Sequence, residues 1–145
     1  LIGIIISFGL YLFYQKQPTK TQSPEAIDLT VIQKHVEQAL NSKGYFVTFS
    51  APDKSNYYAQ IINLNGVIRV EAVGDKYLDF EHHLQQNQIN ILHEIGFSDP
   101  DDSGNYYFEI SNPDINQLST VATRIQDILI KVYNLSEIII TTGRI

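Results

Sequence analysis

Cysteine is absent from the 145 residues. That removes disulfides, thiol nucleophiles and thiolate-bound zinc together, and it leaves the redox compartment undetermined. Positive charge is scarce beyond the N-terminal stretch, where residues 25–145 hold 8 basic against 16 acidic side chains, a net charge of −8. No helix, strand or loop gathers a basic patch, so nucleic acid is disfavoured as a partner, since neutralising phosphates takes clustered cations. Phosphate-binding glycine loops are missing too: neither GxGxxG nor GxxxxGK[ST] occurs. Ser103 stands beside Gly104 but lacks the glycine two residues before it that a nucleophile elbow needs. Glu81, His82, His83, His93 and Glu94 are the metal-capable cluster. His93-Glu94 begins an HExxH, but Phe97 occupies the place of the second histidine, and the zincin reading fails. With no group placed as a general base for a named substrate, an enzyme is not supported. No catalytic residue, cofactor or metal is expected.

An acidic stretch, "DPDDSGNYYFE" over residues 99–109, resembles a calcium loop and tests that last expectation. With Asp99 as the first position of an EF-hand loop, Asp101 falls third, Ser103 fifth and Gly104 sixth, as required. Glu109 then falls eleventh, and the twelfth position, which needs a bidentate glutamate, is Ile110. The stretch therefore reads as a turn. Gly96 ends a helix, Asp99, Asp101 and Asp102 stay in water, and Gly104 turns the chain into a strand.

Residues 1–14, "LIGIIISFGLYLFY", carry no charge. They are too few to span a bilayer core of about 30 Å, which takes roughly 20 residues, and they read as the end of a membrane anchor helix. Tyr11 and Tyr14 then sit at the interface, with Lys16 and Lys20 just beyond, and the positive-inside rule places the domain in the cytoplasm. No small-x-small cleavage site follows, which argues against a removed signal peptide. Residues 15–27 are polar, hold two prolines, and read as a linker. The remaining 28–145 suffice for one domain with one core.

Within that domain Asp28 caps a first helix with apolar residues at Leu29, Ile32, Val36, Ala39 and Leu40. Three strands follow, "YFVTF", "YYAQIINL" and "VIRVEAV", the last two joined by Asn65-Gly66. That dipeptide favours a two-residue hairpin turn, because both central residues need positive φ. The turn sets the register: Leu64 opposite Val67, Ile62 opposite Arg69, Gln60 opposite Glu71. Ala59, Ile61, Ile68, Val70 and Ala72 then share the core face, while Arg69 and Glu71 mark the wetter one. Tyr58 and Ile62 lie on that wetter face, two apolar residues among charges, and are the candidate partner contact. A second helix, about Gln85 to Ile95, stops at Gly96, with Phe97 folding back as in a Schellman cap. Asn112 and Pro113 open the last helix, whose stripe of Ile115, Leu118, Ala122, Ile125, Leu129 and Val132 reads as core packing. "EIIITT" is a buried final strand. The fold class is α+β, an antiparallel sheet with helices mainly on one face, in the order α-β-β-β-α-β-α-β.

The succession "VIRVEAVGDKYL", "LQQNQINILHEIGF", "DPDDSGNYYFEI" and "ATRIQDILIKVYNL" resembles the YbjN and TY-Chap group, related in fold to the type III secretion chaperones. Arg69, Glu71, Ala72, Val73, Tyr77 and Leu78 fit its first motif. Leu84, Gln88, Leu92, Ile95, Gly96 and Phe97 fit the second, Ser103, Asn105 and Tyr106 the turn, and Val132 with Tyr133 the last helix. Asn134 stands where the family usually has glycine, and asparagine also adopts the left-handed cap. The resemblance covers about residues 28–142 and implies a peptide-binding or chaperone-like adaptor that holds a partner segment on apolar surface. The alternative is a non-catalytic subunit of a membrane complex. The partners expected are a protein or peptide segment and, through the N-terminal helix, the membrane; a homodimer is compatible with the reading.

Overall fold

The computed structural model describes residues 20–145. Two short strands, β1 (Lys20–Thr21) and β2 (Glu25–Ala26), precede helix α1 (Leu29–Asn41) and strand β3 (Tyr45–Ser50). The hairpin β4 (Tyr58–Leu64) and β5 (Val67–Ala72) leads through two single-turn 3₁₀ helices to α2 (Gln86–Glu94). Strand β6 (Tyr106–Ser111) is followed by a 3₁₀ turn, α3 (Leu118–Asp127), a π-helical continuation (Ile128–Val132) and β7 (Glu137–Arg144). The strands form one sheet in the order β1-β7-β3-β4-β5-β6, with β2 also on β7 and every pairing antiparallel. Thus β1 and β2, within the stretch expected to be linker, pair with the last strand.

Local chemistry places most of these elements. Asn65 and Gly66 adopt φ of 52° and 96°, and the pairs Leu64–Val67, Ile62–Arg69 and Gln60–Glu71 form as the turn requires. Asp28 caps α1 by accepting the Thr30 amide at 2.8 Å. At the end of α2, Gly96 is left-handed at φ 98°. Its amide bonds the His93 carbonyl and that of Phe97 the Leu92 carbonyl, the two bonds of a Schellman motif. Asn134, at φ 54°, takes the left-handed position expected of it.

The main core lies between the sheet and α1, α3 and the π-helical turn. Ile32, Val36, Val121, Ala122, Ile125, Ile128 and Leu129 meet Val47, Phe49, Ile138 and Ile140 there. The hairpin face of Ala59, Ile61, Ile68, Val70 and Ala72 is completely buried in that core. Each large side chain so covered contributes roughly 1.5 to 3 kcal/mol before entropic costs.

Two expectations are corrected. The opposite hairpin face is not wet: Gln60, Arg69 and Glu71 are buried, and Ile62 is fully covered beside Phe46 and Leu64. The last helix begins later than Asn112-Pro113, because Asn112 is itself left-handed at φ 52° and the capping carboxylate is that of Asp114. Asp114 accepts the Asn116 amide at 2.8 Å, while Gln117 reaches back to the Asp114 amide at 2.9 Å. Ile115, pushed into this extra turn, leaves the apolar stripe and is exposed. No helix among the described residues is long and apolar enough to cross a membrane. The anchor expected over residues 1–14 lies outside the described residues.

Candidate functional site

The wetter face turns out to be roofed by the acidic turn. Gly74, just past β5, lies so close to Gly104 that a Cβ at position 74 would stand 1.9 Å from the Gly104 carbonyl oxygen. Only glycine permits that approach of two backbones. The Gly74 amide donates to Asn105 Oδ1 at 3.1 Å, and the Tyr77 hydroxyl donates to the Ser103 carbonyl. A chain segment some thirty residues downstream is thereby clamped over β5.

Arg69 organises the space beneath. Its Nε donates to Glu71 at 2.6 Å, Nη1 to Glu109 at 2.9 Å, and Nη2 to Asp101 at 2.9 Å and to the Ser103 hydroxyl at 3.2 Å. Tyr107 stacks on the guanidinium at 4.1 Å. Glu71, with no exposed surface, also accepts from Gln60 and from Asn105 Nδ2, the latter at 3.0 Å. Tyr58 bonds Asn105 in turn. A buried carboxylate is tolerable only where a cation and further donors replace the lost water, and Glu71 has both. Burial alone would raise the Asp101 carboxyl, but the Ser103 hydroxyl and amide and the Arg69 charge outweigh it and hold it below the ordinary aspartate range.

The acidic turn gives carboxylates to this network. Asp101 spends one oxygen on the Ser103 amide at 2.9 Å and the other on Arg69, and Glu109 also turns to Arg69. Both side chains are committed to a guanidinium. Asp101, expected to stay in water, is half-buried, while Asp99 and Asp102 are exposed. The arrangement fastens a loop to a sheet, and all three nitrogens of the Arg69 guanidinium take part in it.

The other candidate residues disperse. His93 pairs with Asp99 at 2.7 Å, and His83 bonds the Leu78 carbonyl at 3.2 Å. His82 joins Glu81 and Asp79, whose ligand atoms fall within 4.8 Å of one another on an exposed turn. Of the proposed partner contacts, Tyr58 is half-buried and Ile62 fully buried. Exposed large apolar side chains stand elsewhere, at Phe80, Ile115, Ile130 and Ile145. Sequence reasoning missed the joining of Arg69 to Asp101, Glu109 and Ser103. The available signal was that Arg69, Glu71, Tyr77, Ser103 and Asn105, picked out separately in two motifs, are polar residues with no other evident task.

Residues 31–137 match the family described as T3SS (YopN, CesT) and YbjN peptide-binding chaperone 3, or TY-Chap3, and the chain belongs to that family. Membership gives the protein a peptide-binding, chaperone-like role with a peptide or protein as partner, and lends no support to catalysis. Neither a curated protein nor a solved structure matches the chain.

Proposed function

We propose that the protein is a non-catalytic adaptor that holds a segment of a partner protein on apolar surface, tethered to the membrane by residues 1–14. Family membership over residues 31–137 is the observation that carries the peptide-binding part. Support for an apolar contact comes from the exposed Phe80, Ile115 and Ile130 and from the half-buried Tyr58. Tyr58 and Ile62 remain the proposed partner contact, with unequal parts. Tyr58 meets a segment directly, whereas Ile62 contributes only where the cover of its face moves aside. The uncharged run of residues 1–14 supports the tether, and Lys16 with Lys20 supports a cytoplasmic domain.

An array of unfolded segments from several proteins, probed with the purified chain, tests the adaptor reading. Retention of many apolar segments, weakened by Tyr58→Ser in a protein that stays folded, is the expected result. Retention of none would overturn it, and would favour the alternative of a non-catalytic subunit that docks in a membrane complex. Such a subunit would pull down stoichiometric neighbours alone. For the tether, membranes should retain the chain with residues 1–14 and release it without them, and protease added to intact cells should leave the domain untouched.

A further inference from the structure

Strand β6 ends the sheet on one side, and among the described residues its outer edge is only half occupied. Tyr107 exchanges both backbone bonds with Ser98, at 2.8 and 3.3 Å, so the amide and carbonyl of Tyr107 point away from β5. With the two-residue period of a strand, the backbone groups of Glu109 and Ser111 point the same way. Among the described residues neither has a backbone partner on that side. Both positions are exposed, and Ser98 ends its pairing just before them.

The two faces flanking this edge differ in chemistry. On the face of the buried network stand the carboxylates of Glu109 and Asp101, which share the Arg69 guanidinium with Glu71, three acids around one cation. Glu109 is 47% and Asp101 29% exposed, so their excess negative charge reaches solvent beside the edge. On the helix side lie Ile110, packed at the core margin, and Arg124, whose guanidinium sits 4.8 Å over the Phe108 ring. We propose that the Glu109–Ser111 edge of β6 accepts an extended segment of another protein carrying lysine or arginine at alternate positions and aliphatic residues between them. Its basic side chains face Glu109 and Asp101, away from the repelling Arg124, and its aliphatic ones face Ile110. Charge decides against a second copy of this chain, since antiparallel pairing of two β6 strands would set the two Glu109 carboxylates on one face, where like charges destabilise. The proposal rests on the peptide-binding reading above and names the chemistry of the segment.

A fluorescent, end-blocked peptide of alternating valine and lysine, titrated by anisotropy against the intact protein, is the test. The expected result is saturable binding, lost when glutamate replaces lysine and lost when alternate backbone amides are N-methylated. Ser111→Pro, which removes the outward amide, should weaken binding about tenfold or more, and Glu109→Gln severalfold. Circular dichroism confirms that each variant is folded; should Glu109→Gln loosen the Arg69 network, Ser111→Pro and the methylated peptide carry the test alone. Binding indifferent to methylation and to Ser111→Pro overturns the edge while leaving the adaptor reading standing. Failure of this peptide and of every segment on the array overturns both. A dimer in sedimentation that Ser111→Pro dissolves would assign the edge to a second copy and overturn the proposal.

Discussion

The two faces of the β4–β5 hairpin are both buried, yet by opposite chemistry. Toward the helices, Ala59, Ile61, Ile68, Val70 and Ala72 are covered by aliphatic side chains that need only volume and a lack of charge. Toward the acidic turn, Gln60, Arg69 and Glu71 are covered by a loop whose groups must arrive at bonding distance, because a buried charge left unpaired is costly. The first face tolerates repacking, whereas the second tolerates only a matched set. Packing by area drives the collapse, and the polar face dictates where one loop lands.

The largest expected effect comes from breaking the polar face at its centre. Arg69→Met leaves Glu71 buried without a cation and should cost about 3 to 5 kcal/mol in chemical denaturation. The double variant Arg69→Met, Glu71→Leu should recover part of that loss, and a double variant weaker than the single one would contradict this account of the face.

Next come the paired isoleucines Ile61 and Ile62, adjacent in β4 and on opposite faces. Each is fully buried, so truncation of either to alanine should cost roughly 2 to 4 kcal/mol. Had Ile62 stood on a wetter face, its substitution would be nearly silent, and a silent Ile62→Ala would restore that reading.

Acid separates the faces by pH. On the helix side His35 is buried, 3.5 Å from the Tyr45 hydroxyl, and burial, with Lys34 nearby, lowers its pKa below 6.5. Its folded value lies under its unfolded one, so its contribution is complete above about pH 6.5 and declines as pH falls below that. Asp101, also depressed, contributes fully above the ordinary aspartate value of 3.8 and is lost as pH falls through its lower folded value. Denaturation followed from pH 7 to pH 3 should show the His35 decline first, and His35→Gln should flatten it while leaving the more acidic limb.

The smallest effect belongs to the rim of the polar face. Asp101→Asn keeps the turn and removes a partly exposed charge pair, for a loss of about 0 to 1 kcal/mol. A loss as large as that of Arg69→Met would mean that the rim, not Glu71, anchors the network.

Legibility followed the range of the interactions. The register of β4 and β5 could be read because Asn65-Gly66 restricts two φ angles, and the end of α2 because Gly96 and Phe97 sit at the spacing a Schellman motif demands. The start of the last helix was misjudged because Asn112-Pro113 and Asp114 are competing caps two residues apart, and the Gln117 side chain that closes the box on Asp114 decided between them. The pairing of Arg69 with Asp101 joins residues 32 apart, and no periodicity encodes such a contact.

From the sequence alone came the α+β class, the hairpin register, the core face of the hairpin, the family and the turn at Gly104. Each depends on spacing within a dozen residues or on the order of motifs. Tertiary structure alone decided that the face bearing Arg69 and Glu71 is roofed, that Asp101 and Glu109 serve it, and that Ile62 is buried while Ile115 is not. The physical reason is that alternation along a strand tells which residues share a face, but the burial of that face depends on what the rest of the chain lays over it.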